Sequence, residues 1–155
     1  MDEFKVSDSL NVRIQPDSGI IKLLKNRDFE FDGTINAGNF EISGKGFHMN
    51  YDSFLIKLSL IDSINFYVTE TNAAGQSTKR KVNNSMVPSD SAAVSADGLK
   101  AGQSGMLYIA KANNKSGKAK SGQFPRLDAS SGGVIYFDRP EVLGGVYDRS
   151  IYFKA

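Results

Sequence analysis

The sequence contains no cysteine among its 155 residues. Without thiols, the chain cannot form a disulfide framework, a thiolate zinc site or a cysteine nucleophile. The absence leaves the cellular compartment open, because many secreted bacterial proteins also lack cysteine.

Histidine is almost absent as well, since His48 is the only one. A single histidine excludes a metal site with two histidine ligands and weakens any catalytic triad. By strand parity it points away from its apolar neighbours Phe47 and Met49, so we expect an ordinary surface histidine. The glycine spacings of nucleotide-binding loops and of the nucleophile elbow are also missing. We therefore expect no cofactor, no metal and no catalytic residue.

Long apolar runs are absent too. No stretch approaches the roughly 18 residues of a membrane-spanning helix, and residues 1–5 lack the basic and apolar regions of a signal peptide. We therefore expect no insertion into a membrane. Residues 4–6 and 151–155, at the two ends of the sequence, have the pattern of β-strands, which predicts a fragment of a longer protein.

What the sequence does contain is a repeated strand pattern in residues 28–68. Apolar residues recur at every second position, and the parity changes at Gly, Asn, Asp or Ser. Because alternate side chains of a strand lie on one face, each apolar series predicts a buried face. The series are Phe29, Phe31, Ile35 and Ala37; Phe40 and Ile42; Phe47, Met49 and Tyr51; Phe54, Ile56, Leu58 and Leu60; and Ile64, Phe66 and Val68.

This pattern predicts an all-β fold in one domain over residues 1–155, with residues 28–68 as a repetitive strand core. The short, glycine-punctuated segments favour a β-helix or similar solenoid stack. The alternative is an antiparallel β-sandwich or open sheet, in which the same segments form β-hairpins. Residues 89–97 are the one plausible short helix, because Ser89 or Asp90 can cap it and Gly98 would end it.

Acidic residues lie on one predicted outward face. Asp28, Glu30 and Asp32 alternate with apolar residues, and Glu41 joins them if coils of a solenoid stack. Paired carboxylates serve as acid and base in glycoside cleavage, or bind calcium, although no calcium-loop spacing is present. These four are the candidate ligand-binding residues, and a solvated acidic face is the simpler alternative.

Basic residues concentrate in residues 76–126, a loop-rich segment with nine basic and two acidic side chains. Its densest cluster is Lys79, Arg80 and Lys81, a candidate polyanion-binding site. Proteins that read nucleic acid usually interleave aromatic residues with basic ones. Tyr108 is the only aromatic residue between Thr69 and Gln123, so we expect no nucleic-acid partner and keep a solubilising surface as the alternative.

Several segments resemble parts of very large, uncharacterised, repetitive bacterial proteins of the envelope or secreted class. The resemblance is carried by residues 31–38, 113–117, 136–140 and 144–147, which are structural turns and strands. It implies a fragment in an envelope or extracellular setting, and it brings no catalytic residues.

We therefore expect a non-enzymatic structural or adhesive module of a large envelope or secreted protein. The alternative is a carbohydrate-binding or carbohydrate-active β-module that uses the acidic face. The expected partners are flanking modules of the parent protein and a glycan or other surface ligand. Weak self-association through uncovered edge strands is also expected.

Overall fold

The computed structural model describes residues 3–82, 86–88, 104–119, 122–129, 133–136, 140, 143–146, 148 and 152–154, with backbone alone at 86–88, 133–136 and 152–154. The predicted helix at residues 89–97 lies outside these ranges. No helix in the described part of the chain is long and apolar enough to cross a membrane.

Thirteen strands form the described structure. They are β1 (Phe4–Ser7), β2 (Val12–Pro16), β3 (Lys22–Leu23), β4 (Phe29–Ala37), β5 (Phe40–Asn50), β6 (Leu55–Leu58), β7 (Leu60–Thr71), β8 (Ser77–Lys81), β9 (Met86–Pro88), β10 (Gly105–Tyr108), β11 (Arg126–Ala129), β12 (Gly133–Tyr136) and β13 (Tyr152–Lys154). Single 3-10 turns occupy Lys25–Arg27, Ala112–Asn114 and Leu143–Gly145.

All described strand pairs are antiparallel. The main path of the sheet is β1-β2-β4-β5-β7-β9-β12-β13, and the remaining strands join it at the sides. The all-β prediction is confirmed, and the alternative of an open antiparallel sheet fits the observed pairing. The favoured β-helix is not shown, because stacked coils pair in parallel whereas these neighbours run in opposite directions.

The two strands of the longest ladder, β4 and β5, bend so that each end pairs with a different strand. Residues 33–37 of β4 pair with β2 and residues 29–30 with β3. Residues 40–45 of β5 pair with β7 and residues 48–50 with β6. The ladders are irregular between Phe31 and Gly33 and between Ser43 and Gly44. Such bulges bend a strand and increase its twist, so one sheet curls around one core.

The predicted strand parity agrees with the observed burial. The core cluster is Val12, Ile14, Phe29, Phe31, Ile35, Ala37, Ile42, Phe47, Met49, Phe54, Ile56, Leu58, Ile61, Ile64, Leu107, Ile109 and Ala110. Phe40 and Phe66 pack edge-to-face on its margin, with ring centroids 5.1 Å apart. Val68 is 37% exposed, so the last residue of the last predicted apolar series lies outside the core.

A single inward row shows how the strands share this core. Phe29, Met49, Ile56, Leu107 and Leu127 stand opposite one another on β4, β5, β6, β10 and β11. Full burial of a side chain of this size stabilises the fold by about 1.5–3 kcal/mol. The alternate residues of the same strands therefore point outward in an equally ordered row.

Residues 109–119 lie against the rest of the fold. The backbone N–H of Ile109 donates to the Phe54 carbonyl at 3.1 Å, and the Ser9 hydroxyl donates to the Ser116 carbonyl at 3.1 Å. Gly117 fits closely there, because a Cβ at that position would stand 1.9 Å from Ser9 Oγ. The described part of the basic segment thus contains strands and an anchored turn as well as loops.

Gly44 provides a test of the bend. A Cβ on Gly44 would lie 2.0 Å from the Leu60 carbonyl oxygen and 2.8 Å from Phe47 Cζ. Because a backbone oxygen cannot rotate away, we expect Gly44→Ala to lower the free energy of unfolding by about 3 kcal/mol, the upper part of the range for overpacking. Urea denaturation measures the loss.

The matched control is Gly122→Ala, since a Cβ at Gly122 meets no atom within 4 Å. It should change the free energy of unfolding by less than about 0.5 kcal/mol. Equal stability of the two variants would contradict the close approach of β5 and β7 at Gly44.

Candidate functional site

The outward row of the sheet carries several polar side chains, one of which is the predicted site residue Glu30. It consists of Lys22, Glu30, His48, Lys57, Met106 and Asp128, which stand opposite one another on β3, β4, β5, β6, β10 and β11. Strand alternation places these residues on the face opposite the core. Charged groups of opposite sign therefore become cross-strand neighbours at its β3–β4–β5 end.

His48 lies between two predicted site residues. Its Nε2 is 3.3 Å from Asp28 Oδ2, and its Nδ1 is 3.3 Å from Glu30 Oε1. Donation to both carboxylates at once requires the doubly protonated ring. His48 thus lies within the ion cluster formed by Asp28, Glu30 and Lys22 rather than being an isolated surface histidine.

Asp28 is the best anchored carboxylate of this cluster, and its side chain is 15% exposed. Its Oδ1 accepts the backbone N–H of Tyr51 at 2.8 Å, and its Oδ2 accepts from Asn50 Nδ2 at 3.3 Å. The Tyr51 N–H, with further help from His48 and Asn50, lowers the pKa of Asp28 despite some loss of solvent. This carboxylate is a fixed, ionised acceptor.

Glu30 links the cluster to the short edge strand β3. Its carboxylate accepts from His48 and from Lys22 Nζ, the latter at 3.3 Å. Hydrogen bonds from His48 and then Lys22 lower the pKa of Glu30. The Lys22–Glu30 pair is largely exposed, and such pairs add little to stability. Its effect is to orient the Glu30 carboxylate.

Asp32 lies at the irregular step of β4, outside the ion cluster. Its Oδ1 accepts the backbone N–H of Gly46 at 2.7 Å, where Gly46 has a φ of 64°. Asp32 thereby pins the bend of β5, and its exposed side chain points to solvent.

An open cleft lies beside these carboxylates, with a volume of about 390 Å³. It is lined by Ser18, Ile20, Lys22, Glu30, Phe31, Asp32 and Gly46. Ile20 is 67% exposed at its edge. The cleft therefore combines two carboxylates, one ammonium group and an exposed aliphatic side chain.

A positively charged rim borders the cluster at Tyr51. The Arg27 guanidinium carbon and Lys115 Nζ lie 5.1 Å and 5.0 Å from the centre of the Tyr51 ring. Cations at such distances are attracted to the aromatic quadrupole. Since Lys115 belongs to the anchored turn after β10, the rim joins two distant parts of the chain.

Glu41 lies on the same face but far from the cluster. It stands opposite Asn36 and Asn65, about 20 Å from Glu30 at about 3.3 Å per strand residue. Its carboxylate accepts from Asn65 Nδ2 at 2.9 Å and from the Tyr67 hydroxyl at 3.3 Å. The expectation that stacked coils bring Glu41 to the other acids does not match this register.

The predicted basic cluster lies on β8, away from the cleft. Arg80 forms an ion pair with Glu70, with Nη2 and Oε1 2.6 Å apart, and Glu70 raises the pKa of Arg80. Lys79 Nζ donates to the Gly38 carbonyl at 2.9 Å. These residues belong to a strand rather than to a loop.

No group of three or more His, Asp or Glu side chains in the described ranges is arranged to hold a metal ion. Sequence reasoning placed Asp28, Glu30 and Asp32 on one face but missed Lys22, Ile20 and Gly46. Their proximity follows from pairing between strands, for which local periodicity carries no signal.

Comparison with models of protein families, with curated proteins and with solved structures found no match. The resemblance to large repetitive bacterial proteins stays a prediction, and the functional interpretation depends on the geometry of this fold.

The lowered pKa values predict a specific acid sensitivity. Asp28 and Glu30 have ordinary pKa values of 3.8 and 4.5, and both are lower in the folded state. Their contribution to stability is therefore present above those ordinary values and disappears as the pH falls through the lowered ones. We expect Asp28→Asn to lose less stability than the parent chain between pH 6 and pH 3, as measured by urea denaturation.

The control is Asp62→Asn, on an exposed residue of β7 that makes no hydrogen bond or ion pair with the described residues. Its pH dependence should follow that of the parent chain. If Asp28→Asn also does so, the Asp28 carboxylate does not interact with its neighbours as the geometry indicates.

Proposed function

We propose that this chain is a non-enzymatic adhesive module of a larger envelope or secreted protein, and that it binds a hydroxyl-rich ligand such as a glycan in the β3–β4–β5 cleft. The observation that carries the proposal is the cleft itself, with Glu30 and Asp32 beside exposed Ile20. The cleft shares Glu30 and Lys22 with the ion cluster around His48.

The protonation of the cluster favours binding over hydrolysis. Glycoside cleavage by paired carboxyls needs one of them protonated at working pH, which usually requires a raised pKa. Glu30 in the cleft and Asp28 in the adjoining ion cluster have lowered pKa values instead, because backbone and side-chain donors stabilise their ionised forms. They are hydrogen-bond acceptors rather than proton donors, which weakens the carbohydrate-active alternative and retains the carbohydrate-binding one.

The cleft chemistry suits a sugar. Hydroxyl groups donate well to ionised carboxylates, and charge-assisted hydrogen bonds are stronger than neutral ones. Lys22 offers a donor, and the aliphatic side chain of Ile20 offers a surface for the C–H face of a pyranose ring. Such a mixture of apolar surface with a few placed polar groups is typical of ligand sites.

The supporting strands hold the site in position. Glu30, Asp32 and Gly46 all belong to β4 and β5, and Asp32 is bonded to the Gly46 backbone. A site on paired strands orders few additional groups when a ligand binds, and this reduces the entropic cost of binding.

Flanking modules are the proposed structural partners. β1 and β13 are the two ends of the main strand path, and Phe4 of β1 is 39% exposed. Edge strands offer unpaired backbone groups to another chain. A neighbouring module of the parent protein would cover these edges, and the isolated chain would associate weakly through them.

A glycan array with the parent chain and Asp32→Asn tests the proposed function. Asparagine keeps an oxygen that can accept the Gly46 N–H, so the fold should persist while the negative charge is lost. We expect selective binding by the parent chain and about tenfold weaker binding by Asp32→Asn, equivalent to roughly 1.4 kcal/mol. Asp62→Asn should bind as the parent chain does.

Two outcomes would contradict the proposal. Absence of selective glycan binding by the parent chain would indicate a scaffold without this ligand class. Equal binding by the parent chain and Asp32→Asn, followed by equal binding by Ile20→Ser, would place the binding surface elsewhere on the module.

A further inference from the structure

The β7–β8 hairpin projects from the sheet as an arm. Residues 68–80 are all exposed, although the strands remain paired from Tyr67 opposite Lys81 to Thr71 opposite Ser77. A two-stranded hairpin without a buried face is marginally stable at best. This arm therefore needs local hydrogen bonds and ion pairs to stay ordered, because its side chains bury almost no surface.

Those local bonds are present along the whole arm. At its tip, Asn72 Oδ1 accepts the backbone N–H groups of Ala74 and Gln76 at 3.0 Å and 2.9 Å. Farther down, the hydroxyls of Thr71 and Ser77 are 3.1 Å apart, and Arg80 pairs with Glu70. The Lys79 bond to Gly38 ties the middle of β8, across β7, to the turn between β4 and β5.

The register shows which backbone groups of β8 face away from β7. Val82 N–H donates to the Phe66 carbonyl, and Asn72 N–H donates to the Gln76 carbonyl. Because bonded and non-bonded pairs alternate along an antiparallel ladder, Ser77, Lys79 and Lys81 are in non-bonded pairs. Their N–H and C=O groups point outward. Among the described strands, β8 pairs with β7 alone.

Charge and backbone coincide on this edge. Side chains two apart lie on one face of a strand, so Lys79 and Lys81 share a face with Ser77, while Arg80 lies on the other face with its partner Glu70. The bond from Lys79 to Gly38 uses one of three ammonium protons. The edge thus presents a row of available backbone donors and acceptors with Lys81 beside it. Lys79 joins Lys81 there when its ammonium leaves the Gly38 carbonyl, which lies across β7.

We propose that β8 receives an extended acidic segment of a partner protein, which adds a strand to the arm and places two carboxylates, two residues apart, opposite Lys79 and Lys81. Strand addition supplies backbone hydrogen bonds, and alternate side chains supply specificity. Opposite charges directly across a ladder are favourable. The required motif is an acidic residue, any residue and a second acidic residue in extended conformation.

Charge argues against a second copy of the arm as the occupant. Antiparallel pairing of two β8 strands centred on Lys79 would place the Lys79 side chains opposite each other, and like charges in that position are destabilising. A nucleic acid could meet the lysines, but it cannot continue the backbone ladder of a strand. An acidic protein segment satisfies both features of the edge.

The experiment is a calorimetric titration of the whole chain with the acetylated and amidated peptide STETETS. Its neutral counterpart STQTQTS should bind at least about tenfold more weakly. Two further peptides carry backbone N-methyl groups and keep the charge of STETETS. One is methylated on its two glutamates, and the other on the threonines that flank the glutamates. Because only one set of N–H groups faces β8 in a given register, at least one methylated peptide should lose binding at least about tenfold.

Variants locate the binding surface. The double substitution Lys79→Gln with Lys81→Gln should weaken binding of STETETS at least about tenfold. Lys57→Gln, at an exposed position on the outward face of β6, should not change it. If both methylated peptides bind as STETETS does, the contact is charge attraction without strand addition and the proposal is wrong. Unchanged binding by the double variant, or no binding of STETETS to the parent chain, would also overturn it. Since Asp32→Asn leaves β8 intact, this result is independent of the glycan proposal.

Discussion

The antiparallel ladder between β4 and β5 is the constraint on which the rest of the structure depends. It runs from Phe29 opposite Met49 to Ala37 opposite Phe40. On its other side, each of the two strands pairs with one strand near its first residues and with a different strand near its last residues. A slip of one residue would exchange the two faces of a strand. Phe47 would then turn to solvent and His48 into the core. The hydrophobic core and the outer ion cluster are therefore consequences of one register.

The ion cluster illustrates how a sheet controls protonation without deep burial. Asp28 remains partly solvated, yet a backbone N–H from Tyr51 and the His48 ring favour its ionised form. Glu30 is more exposed and receives comparable help from His48 and Lys22. Fixed donors on neighbouring strands thus keep the carboxyls as acceptors. Such groups suit recognition of a ligand with hydroxyl donors, and they lack the protonated state that acid catalysis requires.

The two proposed surfaces use different parts of the same architecture. The cleft presents side chains from strands that are anchored by a buried inner face, so its geometry follows from packing. The arm has almost no buried face, and its order comes from turn bonds at Asn72 and an ion pair between Arg80 and Glu70. Its available groups are chiefly backbone. The two proposed surfaces therefore suit ligands of different chemistry.

The sequence by itself determined the strand class, the alternation of faces and the common face of Asp28, Glu30 and Asp32, because side-chain direction in a strand has a local period of two. It also identified nearly all of the core in residues 28–68. Only the tertiary structure decided the open sheet, the place of His48 between two carboxylates and the separation of Glu41 from them. These depend on which distant strands pair and at which residue they bend. Backbone hydrogen bonding is the same for every residue type, so local sequence carries little record of that choice.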